Sequence, residues 1–359
     1  MNSLNNNIKT IEISQKDLTG NGLILQTYCN SVLQQPDIDF SSVPDLSDYQ
    51  EQINESLEKA KKHANTYLND INHKIINSLS DLNSYFTVYK IVPVTLPEGS
   101  SVDQWVSVLS VVKTISEKNL RDSELIVEAL EELRDDLSSD SAAFASIAEQ
   151  ANDAIEGDTG ELASIRNSLK EIDRDIKGQI AAVVLEGIGI IGGVFVIAIG
   201  SVSSFVTAGT STPIVIAGVS MLLGGVVGLA VSAPTLINLY QEKTDLFQQS
   251  SKLRAEVNLL TGIDSAFDNL SNQAETAASA TKGMVDSWRN LTNHLEDLID
   301  DLTNGILSTD AVRTLFLNDA NNEIIDLQNT INTIKQQMSG IITVALPKDE
   351  TVLSYLKAV

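Results

Sequence analysis

The sequence contains one glycine motif whose spacing could bind a dinucleotide. Gly187, Gly189 and Gly192 match G-x-G-x-x-G and follow the apolar run 180–185. In dinucleotide-binding folds these glycines let a helix N-terminus approach the pyrophosphate. The motif also requires an acidic residue about 20 positions later for the ribose. The next acidic residue is Glu242, so we expect no nucleotide cofactor here.

Histidine and cysteine chemistry is equally limited. His63, His73 and His294 are scattered along the chain, and no metal motif or nucleophile motif accompanies them. Cys29 is the single cysteine, so the chain cannot build an internal disulfide framework. We therefore expect no enzyme activity, no metal site and no cofactor.

The charge balance argues against a nucleic-acid partner. The 359 residues include 48 acidic and 24 basic side chains, which gives a formal charge of −24. Nucleic-acid binding depends on clustered lysine and arginine that neutralise phosphates. We expect no nucleic acid to bind this surface.

The strongest signal in the sequence is an apolar block with no charged residue from Gly187 to Gln241. It divides into two arms, 187–208 and 214–237, and each reaches the roughly 20 apolar residues that cross a bilayer. A turn-like tip separates them, formed by Gly209, Thr210, Ser211, Thr212 and Pro213. Charged residues flank the outer ends of both arms, so we predict that the tip is the part that crosses the membrane.

Particular residues of the block are predicted to have distinct roles. Gly189 and Gly193, and likewise Gly224 and Gly228, lie four apart, a spacing that lets apolar helices pack closely. Glu186 is either the last solvated residue before the block or a charge at the mouth of a pore. The side chains predicted to enter the membrane are Ile190, Val194, Phe195, Val196, Ile199, Phe205, Ile214, Ile216, Leu222, Leu223, Val226 and Leu229.

The conformation of the block in water is open between two alternatives. Long apolar arms favour helices, which we prefer. Glycine, valine and isoleucine are poor helix formers in water, however, so a β-hairpin is the alternative.

Long amphipathic helices are predicted on both sides of the block. Their expected bounds are Asp48–Lys90, ending near Pro93 and Pro97, then Val102–Ile155 and Ser308–Ile341. A heptad seam, Leu162–Ile176, leads straight into the block. Inner stripes are predicted at spacings of three and four residues: Ile53, Leu57, Ala60, Ala64, Tyr67, Ile71, Ile75, Leu79, Leu82 and Phe86; Leu125, Ala129, Leu133 and Leu137; Leu291, Leu295, Leu298 and Leu302; Ile324, Leu327, Ile331, Ile334, Met338 and Ile341.

These elements predict an all-α fold, an elongated bundle of long coiled-coil-like helices that carries an apolar, membrane-inserting head hairpin. The expected domains are 1–177 and 242–359 for the two parts of the bundle and 178–241 for the head. An exposed block of this size would be unstable in water. We therefore expect the head to be folded away until a membrane is met.

With this arrangement of helices and apolar hairpin, the chain resembles the helical pore-forming toxins of the cytolysin A and haemolytic-enterotoxin type. It is most similar to the doubly membrane-spanning, B-type component of a tripartite toxin. The resemblance implies a secreted bacterial protein that binds a target-cell lipid membrane and oligomerises with itself into a ring. It also implies one or two homologous toxin components as partners.

Two other functions fit the same pattern. A translocator of a contact-dependent secretion system also joins coiled coils to an apolar hairpin, and a resident membrane protein with a coiled coil is a third class. The start of the chain lacks the basic residues and apolar run of a signal peptide. The route of export is therefore open.

Overall fold

The computed structural model describes residues 47–154, 159–188, 196–200, 204–206, 214–216, 218–223, 255–319, 322–339 and 341–345, with single residues and short runs between 10 and 37 and between 235 and 246. The helices are α1 (Ser47–Thr66), α2 (Asn72–Thr95), α3 (Val102–Ala154), α4 (Thr159–Ile188), α5 (Ala255–Thr303), α6 (Thr309–Asp319) and α7 (Asn322–Ser339). A π-helical turn, Tyr67–Ile71, joins α1 to α2. The strands are β1 (Val196–Gly200), β2 (Ser204–Val206), β3 (Ile214–Ile216), β4 (Gly218–Leu223) and β5 (Ile341–Ala345).

The predicted helical class is confirmed by the long elements, and their apolar stripes form the core. Every residue of the first predicted stripe, from Ile53 to Phe86, is buried. The stripes of α5 and α4 are buried as well, for example at Leu295 and Leu169. Apolar side chains three and four residues apart share one helix face, so burying that face removes the whole stripe from water.

Local sequence signals set the helix ends. Ser101 caps α3 in a capping box, because the Gln104 N–H donates to its Oγ at 3.3 Å and the Ser101 N–H donates to Gln104 Oε1 at 2.8 Å. Gly305 follows α5 with φ of 70°, a left-handed conformation that glycine adopts without strain. Pro93 lies inside the last turn of α2, which ends at Thr95 rather than at the proline.

The chain divides into two compact units, and the first comprises the described parts of Met1–Thr19, His73–Leu130 and Thr276–Met338. Its core is a group of aromatic rings. Tyr85 meets Trp288 edge to face at 4.9 Å between centroids, and Tyr89 stacks on Phe316 at 4.5 Å. Such pairs add stabilisation beyond the area that they bury.

The second unit comprises the described parts of Gly20–Asn72, Glu131–Glu275 and Ser339–Val359. Its helical part packs α1 against the C-terminal half of α3. The Tyr67 hydroxyl donates to the Gly22 carbonyl at 2.7 Å, and Arg166 Nη1 of α4 lies 2.8 Å from Glu149 Oε1 of α3. This unit also contains all of the described strands.

Between residues 196 and 223 the described parts of the apolar block are strands, as in the β-hairpin alternative, so the preference for helices was wrong for these residues in this form. β1 pairs antiparallel with β4, and β2 pairs antiparallel with β3, so the second pair is nested in sequence within the first. Valine and isoleucine fit a paired sheet better than an isolated helix in water. A helix apolar on all sides would also have to be covered on all sides.

Two predictions for single residues were wrong. Ile341 does not extend the heptad of α7, which ends at Ser339; it begins β5. Leu125 is 55% exposed, whereas its neighbour Ile126 is buried, so the buried face of α3 is rotated from the predicted stripe by one residue at this point. The polar Ser123 lies on that buried face. A search for apolar residues alone therefore placed the buried face of the helix one residue too early.

Candidate membrane-inserting site

The predicted membrane-inserting residues that the structure describes lie on the four strands of the apolar block. Val196 and Ile199 are in β1, Phe205 in β2, Ile214 and Ile216 in β3, and Leu222 and Leu223 in β4. The antiparallel register sets Val196 opposite Leu223, and Phe205 opposite Val215. The two arms of the block are therefore paired with each other along their backbones.

Other predicted site residues lie outside the described residues. These are Ile190, Val194, Phe195, Val226 and Leu229, the tip residues Gly209, Thr210, Ser211, Thr212 and Pro213, and the packing glycines Gly189, Gly193, Gly224 and Gly228. Glu186 is described in the backbone of α4, two residues before that helix ends at Ile188.

β5 completes the larger sheet and was not predicted. The strand order is β1-β4-β5, with β5 antiparallel to β4, so β4 is bonded on both edges. Its sequence, IITVA, is rich in β-branched residues and lies between Gly340 and Pro347. A β-branched run bounded by glycine and proline is a strand signal, but the preceding heptad of α7 concealed it.

The strand form of the described segments of the block does not suit the interior of a membrane. Among the helices that the structure describes, none has both the length and the apolarity needed to cross a membrane. A lipid bilayer excludes open sheet edges because their backbone groups would lack hydrogen-bond partners. Among the strands that the structure describes, β1 and β5 each pair with β4 alone, so the described sheet has such edges.

The histidines do not form a shared site. In the second unit, His63 Nδ1 of α1 lies 2.8 Å from Asp140 Oδ2 of α3, and His63 Nε2 lies 3.8 Å from Asp136 Oδ1. Burial raises the pKa of the Asp140 carboxyl, and the hydrogen bond from His63 opposes that shift. His73 is exposed on α2 and His294 is half-buried on α5. Among the described residues, no group of three or more His, Cys, Asp or Glu could hold a metal ion.

Cys29 is buried, and burial raises the pKa of its thiol. Since the thiolate is the reactive form, this cysteine is not activated for nucleophilic chemistry. Some described ion pairs join different helices, for example Arg166 with Glu149, and the distinctive feature of the described residues is the set of paired strands in the apolar block.

Comparison with known proteins identifies relatives of this chain. Residues 5–179 match the family model of Bacillus haemolytic enterotoxin (HBL). No curated protein sequence matches the chain. Among solved structures, soluble AhlB of the tripartite α-pore-forming toxin AHL from Aeromonas hydrophila is 36% identical, with a TM-score of 0.88 over 97% of this chain and 99% of that chain. Soluble SmhB of the Serratia marcescens toxin Smh is 29% identical, with a TM-score of 0.88 over 98% of each chain.

The same comparisons distinguish two conformations. The AhlB pore structure, at 34% identity, covers 94% of this chain and 99% of that one, but its TM-score is only 0.64. Identity to soluble AhlB is almost the same, so the lower score reflects shape rather than sequence. The fold described here is that of the soluble form. The chain belongs to the helical pore-forming toxin family of which AhlB is a member.

Proposed function

We propose that this protein is a secreted bacterial pore-forming toxin component. It is soluble as a monomer, inserts its apolar block into the membrane of a target cell, and oligomerises there. The observation that carries the proposal is the apolar block, whose described segments between 196 and 223 pair as strands, in a chain whose relative AhlB has both a soluble structure and a pore structure.

Physical chemistry supports a change of the block from strands to helices on insertion. The described sheet has open edges, which a bilayer does not tolerate, whereas a helix makes its backbone hydrogen bonds within its own segment. Each arm, 187–208 and 214–237, as a helix at about 1.5 Å per residue, would cover a hydrocarbon core about 30 Å thick.

On this proposal the functional parts follow the sequence-based division. Residues 178–241 are the inserting head, and 1–177 and 242–359 form the helical body. Residues such as Phe205 and Leu222 enter the lipid, and the tip 209–213 crosses first. Glu186, near the end of α4, would then lie where the first arm enters the membrane.

The proposed action requires no catalysis. Among the described histidines, His63 already has a structural role, since it pairs with Asp140 across two helices. Transfer of apolar surface from water into lipid is sufficient to drive the block into a membrane, at about 25 cal/mol per Å².

We also propose that one or two homologous components line the channel. A water-filled pore needs polar side chains on the lumen face of at least one helix. The first arm has a few polar residues near its tip, such as Ser201 and Thr207, and the second has only Ser220, Ser232 and Thr235. A ring of this chain alone would have an apolar lumen, which excludes water. AhlB and SmhB are described as parts of tripartite toxins.

Dye-loaded vesicles and red cells provide the test. The purified chain should bind and insert by itself, but it should release dye efficiently only together with one or two homologous partner components. Each partner alone, at the same concentration, is the control. Full lysis by this chain alone, at concentrations no higher than those needed with partners, would refute the role of the partners. Absence of insertion with all components present would refute the proposed function itself.

A further inference from the structure

β5 is the one described strand that comes from outside the apolar block. It begins at Ile341, after α7, whereas β1 and β4 both lie within the block. β5 pairs with β4 along its length, from Leu222 opposite Ile341 to Gly218 opposite Ala345. β4 is thereby held between its own hairpin partner and a segment more than a hundred residues further along the chain.

This pairing conflicts with insertion of the block as helices. In an antiparallel ladder, half of the backbone N–H and C=O groups of β4 bond to one neighbour and half to the other. A membrane-spanning helix must bond every one of these groups within its own segment. The β1–β4 bonds must also break when helices form, but β1 enters the membrane with β4 because both belong to the inserting block. β5 does not belong to the block, so its bonds to β4 have to be broken.

We propose that β5 is a strap, a C-terminal strand that holds the apolar block in its strand form and must leave β4 before the block can insert. The inference rests on the proposed function, in which residues 187–237 enter the membrane. The composition of the strap fits this role, since IITVA is apolar and β-branched enough to pair with β4. Five residues are too few to span a bilayer themselves.

A disulfide across the strap tests whether it must leave. Ser220 and Thr343 are directly opposite in the register. Opposed residues of antiparallel strands have Cα atoms about 4.5–5.5 Å apart, within the range that a disulfide bridges. The double variant Ser220→Cys/Thr343→Cys can therefore be cross-linked by mild oxidation. Native Cys29 does not compete, because it is buried and burial raises the pKa of its thiol.

The oxidised double variant should lose both vesicle insertion and dye release with partners, and dithiothreitol should restore both. The two single-cysteine variants and the parent should be indifferent to dithiothreitol. If the oxidised double variant inserts as fast as its reduced form, the strap does not need to leave and the inference is wrong, while the proposed function stands.

A second experiment tests, without a membrane, whether the strap stabilises β4. Successive N–H groups of a strand point to opposite sides, so one of Ile342 and Thr343 donates to β4. Ile342→Pro/Thr343→Pro removes that donor, whereas Ile342→Val/Thr343→Val keeps the ladder and is the matched control. Hydrogen exchange of amides in Gly218–Leu223 should become faster in the proline variant only. Unchanged exchange there would overturn the strap even if the protein never permeabilised a vesicle.

Discussion

Leu222→Arg should prevent the apolar block from entering a membrane. Leu222 lies in β4, opposite Ile197 and Ile341, and is eight residues from the start of the second arm at Ile214. In a membrane-spanning helix, eight residues rise about 12 Å. That depth is near the middle of a hydrocarbon core about 30 Å thick, where a charge is most costly.

The expected cost of this arginine is about 2.5–3.5 kcal/mol for each copy. At about 1.4 kcal/mol per tenfold change, the insertion equilibrium constant should fall about 60- to 300-fold per copy. A ring of several copies multiplies this penalty. Binding to the lipid surface should be affected much less, because it does not require a buried arginine.

The assay is the fraction of protein that resists alkaline extraction from vesicles, measured together with dye release in the presence of partners. Two matched controls isolate the effect of charge in the block. Leu222→Ala keeps an apolar side chain at the same position, and Leu125→Arg introduces the same charge at a site on α3 that is 55% exposed. Both controls should insert normally. If Leu222→Arg, shown to be folded by circular dichroism, inserts as well as Leu222→Ala, the block is not the inserting element.

Two further predictions concern the soluble fold. Phe316→Ala should lower the free energy of unfolding, measured by denaturant titration, by about 3–5 kcal/mol, because this buried ring stacks on Tyr89. The control is the neighbouring Leu317→Ala, at a residue 41% exposed, which should change the free energy of unfolding by no more than about 0.5 kcal/mol. Equal effects of the two variants would contradict the aromatic core. Burial raises the pKa of Asp140 in the native state, so this carboxyl favours the native state at low pH and loses that contribution as pH rises through its native pKa. From about pH 4 to pH 7, the free energy of unfolding of Asp140→Asn should therefore rise relative to that of the parent. A fall relative to the parent would contradict a raised native pKa of Asp140.

Much of the helical body could be predicted from sequence because its helices bury continuous apolar stripes. The stripe from Ile53 to Phe86 is buried as expected, although it passes through the π-helical turn Tyr67–Ile71. Nothing in the spacing marks that turn, since Ala64, Tyr67 and Ile71 are three and four residues apart. An apolar period thus fixes the buried face but not the hydrogen-bonding pattern beneath it.

The apolar block could be found from sequence, but its conformation could not be decided. Hydropathy reports that residues such as Leu222 need to leave water, and both a paired strand and a lipid-embedded helix satisfy that need. The choice depends on the surrounding solvent and on a distant partner. β5 supplies that partner in the soluble form, and pairing between strands so far apart in sequence leaves no local signal.

Polar partners across helices were also beyond sequence analysis. His63 and Asp140 are 77 residues apart in sequence, and only the packing of α1 against α3 brings their side chains to 2.8 Å. The sequence indicated that His63 was not catalytic, because no motif surrounded it. It could not indicate which carboxylate His63 would contact.

The central claim is that the apolar block 187–237 enters the bilayer, for which its described strands must leave their soluble sheet. An environment-sensitive fluorophore on Ile216→Cys tests it directly, with the same fluorophore on Leu125→Cys as the control; buried Cys29 should remain unlabelled. On addition of vesicles, the emission at position 216 should shift to shorter wavelength and be quenched by quenchers attached to lipid chains. The emission at position 125 should not change. If neither position is quenched by the lipid-chain quenchers, while the partners still permeabilise the vesicles together with this chain, the block does not enter the membrane and the account is contradicted.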